Sequence, residues 1–282
     1  MVMARSSSGE SSFIWETIKT VFWALIIAGV FRSLFFQPFW IPSGSMKDTL
    51  LVGDFLFVNK MSYGYSYASC PNIRIQRIGV DLDARDICFF LDGDNTRVLG
   101  SEPERGDVVV FRHPATGEDY IKRVIGLPGD KIQMIDSVLH INGEAVKMEE
   151  AGMFVETYEP QGPQGRPPRC FNAPVGLGGE CLKERYTETL PNGVSHDVLN
   201  VGYSPSADDT GVFEVPEGEY FMMGDNRDNS TDSRFPRSRD GVGFVPYENI
   251  IGRADRVVFS SGGRSLLYFW QWRKDRFLEK IS

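Results

Sequence analysis

The run Val21–Phe31 (VFWALIIAGVF) carries no charge, and it constrains the chain more than any other segment. Widened to Thr20–Phe36 it holds seventeen residues with a single cation, Arg32. At a helical rise of about 1.5 Å per residue it spans about 26 Å, close to the roughly 30 Å of bilayer hydrocarbon. The run is apolar all round, which suits lipid better than the one-sided stripe of a core helix. Lys19 and Arg32 lie toward opposite ends, where long side chains reach the interface, and Phe35, Phe36, Phe39 and Trp40 form an aromatic collar. The pattern predicts a transmembrane helix over 18–37 behind a short tail at 1–17. A cleaved signal peptide is the rival, weakened by Glu10 and Glu16 upstream and by the lack of a small-x-small site downstream. Charge bias leaves the orientation open, because Arg5 and Lys19 on one side balance Arg32 and Lys47 on the other.

Between 40 and 260 no long helical period occurs. Short apolar or alternating runs recur instead, at Asp54–Val58, Asp107–Phe111, Tyr120–Ile125, Lys131–Ile135, Val138–Ile141, Gly218–Met223 and Arg256–Phe259. Runs of this length, punctuated by Pro128-Gly129-Asp130, Asn142-Gly143 and Pro216-Glu217-Gly218, predict strands and turns, with a hairpin at Asn142-Gly143. Residues 66–104 and 147–212 look like insertions, the second dense in Pro and Gly. The tail Leu266–Leu278 mixes aromatics with Arg and Lys, and suits an interfacial membrane contact or a last element on the core equally well. A net charge of -8 argues against a nucleic-acid partner. The four cysteines form no C-x-x-C, and the three histidines are scattered, so zinc spacing is absent. In an oxidising compartment Cys70/Cys88 and Cys170/Cys181 are each able to close a loop.

A serine hydroxyl is a poor nucleophile until a base removes its proton. His113, His140 and His196 have no convincing setting for that role. A lysine serves if desolvation keeps it neutral. Lys122 lies in the apolar run Tyr120–Ile125, where alternation puts Tyr120, Lys122 and Val124 on one face and Ile121, Arg123 and Ile125 on the other. Taken alone, a strand lysine is an exposed edge residue and Gly44-Ser45-Met46 is a turn. Gly44 does permit a backbone that aims the Ser45 N–H at an oxyanion, with the Ser43 hydroxyl as a second donor.

Taken in order, Ile41-Pro42-Ser43-Gly44-Ser45-Met46, Gly53-Asp54, Arg105–Phe111, Asp119–Asp130 and Gly224–Arg234 resemble the boxes of bacterial type I signal peptidases. The resemblance implies a mostly β fold: a catalytic domain of antiparallel sheets (38–146 and 213–265), an inserted β-rich subdomain (147–212), one N-terminal transmembrane helix, and an aromatic/basic C-terminal segment (266–282). It implies a membrane-bound Ser/Lys-dyad endopeptidase that removes signal peptides from exported preproteins through an acyl-enzyme, cutting after small residues at the −3 and −1 positions. By position Ser45 is the nucleophile, Lys122 the base, and Ser43 with the Ser45 N–H the oxyanion hole. Ser230 matches the serine that orients the lysine, and Asp232 and Arg234 a supporting ion pair. Phe111, Tyr120, Met222 and Met223 match residues that keep the lysine dry. Phe39, Ile41, Pro42, Met46, Leu50, Tyr120 and Ile121 match the substrate pocket. Asp48 stands where many members have proline, Thr231 replaces a small apolar residue, and Phe235–Gly241 lengthen a loop. No metal or organic cofactor is implied. The partners are preproteins and the lipid bilayer, near the secretion translocon, with the domain on the outer (periplasmic) face of the inner membrane. In that compartment a Cys170–Cys181 disulfide fits. Nine extended steps separate Phe36 from Ser45, a reach of at most about 30 Å, so Ser45 works close to the bilayer.

Overall fold

The computed structural model of the chain describes residues 8–75, 79–91, 97–262 and 268–281. Part of the expected tail (1–7), parts of the 66–104 segment and Leu266 lie outside the described residues. Helix α1 spans Ser8–Leu34, and the chain then enters strand β1 (Phe36–Trp40). This corrects the span expected over 18–37. Pro38 disfavours helical angles at Gln37, and its aromatic neighbours favour a strand, so the helix stops early. At the other end it runs back through Glu16, Thr17, Lys19 and Thr20, which dilutes its apolar character. Among the described residues no helix is long and apolar enough to cross a membrane. The side chains from Phe13 to Gly29 are all exposed.

The remaining strands are β2 (Asp54–Asn59), β3 (Ile73–Ile75), β4 (Val80–Leu82), β5 (Val108–Arg112), β6 (Asp119–Gly126), β7 (Lys131–Ile135) and β8 (Val138–Ile141). They continue as β9 (Glu144–Ala145), β10 (Lys147–Thr157), β11 (Glu180–Thr189), β12 (Ser195–Asn200), β13 (Phe213–Glu214), β14 (Glu219–Met223), β15 (Val245–Pro246) and β16 (Ile250–Ser260). The main sheet has the order β1-β2-β16-β5-β6-β14-β15, and all its pairs are antiparallel. Smaller sheets are β13-β7-β8-β9, β10-β11-β12 and the hairpin β3-β4.

Alternation along β5 divides the core. Val108 and Val110 join Ile41, Met46, Leu50, Leu56, Ile121 and Val257 on one face. Val109 and Phe111 join Val124, Tyr220, Met222 and Ile250 on the other. Each such side chain removed from water stabilises the fold by roughly 1.5–3 kcal/mol. Tyr67, Ala68 and Ala84 also enter the first cluster, so the 66–104 segment packs into the core rather than standing off it. It is closed by a Cys70–Cys88 disulfide (Cα–Cα 6.4 Å). The β10-β11-β12 sheet reaches the segment that follows β14: Leu199 N donates to Asp225 O at 2.8 Å. Cys170 and Cys181 form a second disulfide beside it (Cα–Cα 5.1 Å).

Candidate active site

The turn after β1 is held by both its backbone and its apolar side chains. Ile41 N donates to Asp54 O at 2.9 Å and Gly53 N returns a bond to Ile41 O at 3.0 Å. Ile41, Met46 and Leu50 are buried in the core, which leaves Ser43 exposed and turns Ser45 inward, 8% exposed. Lys122 lies on β6 opposite Val109 of β5, on the face predicted by alternation. The two segments meet at the hydroxyl: Lys122 Nζ donates to Ser45 Oγ at 2.8 Å and to Ile121 O at 3.0 Å. Tyr120 presents its ring 5.8 Å below the same nitrogen.

Burial lowers the Lys122 pKa from 10.5 to about 8; Asp232 and Asp225 pull it back up, and Arg234 adds to the lowering. A lysine this dry is able to lose its proton near neutral pH, as a base at a serine requires.

The segment from Gly224 to Arg234 forms the back of the site. A Cβ on Gly224 would lie 2.3 Å from Ser230 Oγ and 2.6 Å from Ser45 O, so only glycine fits. Asn226 N donates to Ser45 O at 3.1 Å and Asn226 Nδ2 to Gly44 O at 2.8 Å, tying the serine turn to this segment. Arg234 binds Asp232 with two bonds, Nε to Oδ1 at 2.9 Å and Nη2 to Oδ2 at 3.0 Å. Both are buried; burial pushes the Asp232 carboxyl up, but Arg234 more than reverses this. Ser230 is buried against Gly224; it does not bond Lys122, and its hydroxyl faces the Asp232 carboxylate and helps keep it ionised.

Ile41, Met46, Leu50 and Ile121 share one cluster, with Phe39 packed against it. Pro42 and Tyr120 are half-buried at its rim. Phe111, Met222 and Met223 are buried, and the Phe111 and Tyr120 rings are 6.2 Å apart. Thr231 is exposed.

Sequence reasoning missed several charged groups beside the site. Arg123, which alternation places opposite Lys122, is fully buried and forks onto Asp225 at 2.9 and 2.8 Å. His196 lies between Glu188 (3.4 Å) and Asp225 (3.9 Å), and burial lowers its pKa to about 4. Arg227 bonds Glu188 at 2.7 Å. Lys47 bonds Glu156 at 2.5 Å. The available signal was alternation along β12, which puts His196 and Val198 on one buried face.

Comparison with known proteins identifies the family of the chain. The profile of the family described as "Signal peptidase, peptidase S26" matches residues 14–259. The signal peptidase I of Rickettsia typhi (strain ATCC VR-144 / Wilmington) is 37% identical over 267 residues, covering 92% of this chain and 85% of its own. That of Rickettsia akari (strain Hartford) is 39% identical over 257 residues, covering 87% and 81%. Among solved structures, a signal peptidase I from Enterococcus faecalis V583 is 26% identical and covers 54% of this chain and 97% of its own, with a TM-score of 0.28. These similarities define a hydrolase of the serine endopeptidase class. The chain belongs to the signal peptidase family, peptidase S26, whose work is the removal of signal peptides.

Proposed function

We propose that the chain cleaves preproteins with a Ser45/Lys122 dyad. The observation that carries this is the 2.8 Å contact between Lys122 Nζ and Ser45 Oγ, with both residues buried. With a pKa of about 8, about a tenth of Lys122 is neutral at pH 7, roughly 300-fold more than for an unshifted lysine. Neutral Nζ accepts the Oγ proton as Oγ adds to the scissile carbonyl. The Ser45 N–H and the Ser43 hydroxyl hold the oxyanion, and the new ammonium returns the proton to the departing amine. Water then adds to the acyl-enzyme, with the same lysine as its base. Ser230, Asp232 and Arg234 act as supports behind the lysine.

β14 pairs with β6 only from Arg123 onward, so the Asp119–Lys122 edge away from β5 is open to an extended peptide. Phe39, Ile41, Pro42, Met46, Leu50, Tyr120 and Ile121 then wall pockets that favour small side chains at −3 and −1. The exposed apolar side chains of α1 between Phe13 and Ile27 support a single membrane anchor, and exposed Trp40, Phe57, Phe269 and Trp270 support contact with the bilayer surface. In this reading the domain lies on the outer face of the inner membrane, beside substrates emerging from the translocon.

The test is preprotein cleavage in detergent by the wild type and Ser45→Ala. Ser45→Ala should retain the fold and cut no preprotein; cleavage at the wild-type rate would refute the assignment.

A further inference from the structure

We propose that Glu156, on β10, is a positioning residue for the nucleophile turn and acts on Ser45 through Lys47; this rests on the Ser45/Lys122 assignment. Lys47 follows Ser45 by two residues, yet its side chain turns back beneath the serine turn. Its Cε lies 3.1 Å from where a Cβ on Gly44 would stand. Its Nζ donates to Glu156 Oε2 at 2.5 Å and to Gln161 Oε1 at 2.6 Å. Gln161 Nε2 donates to the same carboxylate oxygen at 2.7 Å, and Lys183 Nζ lies 2.9 Å from the other. Lys47 is 4% exposed and Lys183 is fully buried. Two buried cations thus share one carboxylate whose side chain keeps only 10% exposure.

Burying charge in this ratio is costly, and an apolar side chain would fill the same space without that cost. What the charged group adds is direction. The Lys47 stem packs against Gly44, between the two proposed oxyanion donors, while its ammonium is fixed to a different sheet. Nearby contacts act in the same sense. Asp48 pairs with Arg185 of β11 at 3.1 Å. A Cβ on Gly162 would lie 2.2 Å from Pro42 O, so the turn after β10 sits directly on the chain entering the serine turn. Displacing a reacting group by about 1 Å costs on the order of 100-fold in rate.

Lys47→Met separates positioning from folding, because it leaves Glu156 and Lys183 as a matched pair. Full-chain enzyme in detergent should lose kcat on a preprotein by about 10- to 100-fold. KM should stay within about twofold and the melting temperature near wild type, as expected where only the reacting geometry is lost. The pH limb set by Lys122 should not move, since the charges that set it are untouched. Gln161→Leu should show a smaller loss with the same kcat/KM split, and combining it with Lys47→Met should add little. A kcat for Lys47→Met within about twofold of wild type, or a loss that follows the melting temperature, would overturn the proposal. If Lys47→Met fails to fold, a wild-type kcat for Gln161→Leu overturns it as well. Lys122→Met assayed in parallel separates the two assignments. Its activity would sink the dyad, whereas an inactive Lys122→Met beside a full-rate Lys47→Met would sink the Lys47 link alone.

Discussion

Replacing Lys122 by Met should abolish cleavage and yet stabilise the protein at neutral pH. The Lys122 pKa falls from 10.5 in the unfolded chain to about 8 in the fold. The folded state therefore binds fewer protons between these two values, and stability rises with pH across that window. Below pH 8 the lysine is charged in both states and the whole burial cost is present. At about 1.4 kcal/mol per pKa unit the cost is roughly 3 kcal/mol. Methionine is close in volume and carries no charge, so it escapes this cost, but it forfeits the bond to Ser45 Oγ, worth about 1 kcal/mol. The variant should be about 2 kcal/mol more stable at pH 7. The gain should vanish on going from pH 8 to 10.5 and end as a loss of about 1 kcal/mol. Urea titrations of both proteins at pH 7 and at pH 10 read the difference directly, and other titrating groups cancel because both proteins share them. A variant less stable than wild type at pH 7, or an advantage that does not shrink with pH, would refute the claim that Lys122 is held in an unfavourable charged state.

Two further perturbations test the back of the site. Wild-type kcat/KM should climb about tenfold per pH unit up to a limb near 8, as lysine becomes neutral. Arg234→Met removes a cation that lowers the Lys122 pKa, so the limb should move upward, and urea unfolding should show a loss of about 3–5 kcal/mol from a buried, unpartnered Asp232. A limb that moves downward would contradict this charge arrangement. Gly224→Ala forces a Cβ against Ser230 Oγ and the Ser45 carbonyl, and should cost about 1–3 kcal/mol together with most of the cleavage rate. Wild-type kinetics in that variant would show that the serine turn does not depend on the contact.

Much of the main sheet is legible because its strands obey simple rules. Asp54–Val58, Asp107–Phe111 and Tyr120–Ile125 are apolar or alternating runs between turn residues, and each lies on a strand of that sheet. Alternation also sets Lys122 and Arg123 on opposite faces. It does not reveal that both faces are covered. Arg123 looks like a solvated cation until Asp225, a hundred residues away, is brought against it. The segment 147–212 was hardest to read for the same reason. Lys183, Glu188 and His196 stand on strands rich in polar residues and resemble a wet strand face, yet all three are buried. Their partners, Glu156, Arg227 and Asp225, lie on other strands or on the Gly224–Arg234 segment. The N-terminal helix exposes the opposite weakness. Composition defines an apolar run well, but helix ends are set by local backbone preferences, and Pro38 ends this one earlier than the apolar pattern does.

The pairing of charges around Lys122 explains how two buried aspartates coexist with a lysine that must lose its proton. An unpartnered carboxylate at either position would pull the Lys122 pKa further up and keep more of it charged. Here Arg234 takes both oxygens of Asp232, and Arg123 takes both oxygens of Asp225. Burial pushes both carboxyls up, and their arginines more than reverse it, so both are ionised at neutral pH. Lys122 therefore faces two ion pairs rather than two bare anions. Their residual pull is smaller than the desolvation that opposes it, and the lysine settles at about 8. The arginines do more than brace the segment: by neutralising the aspartates they leave burial as the force that sets the base. A substitution that loosens either pair should then change the pH dependence of cleavage before it changes the contacts of Ser45.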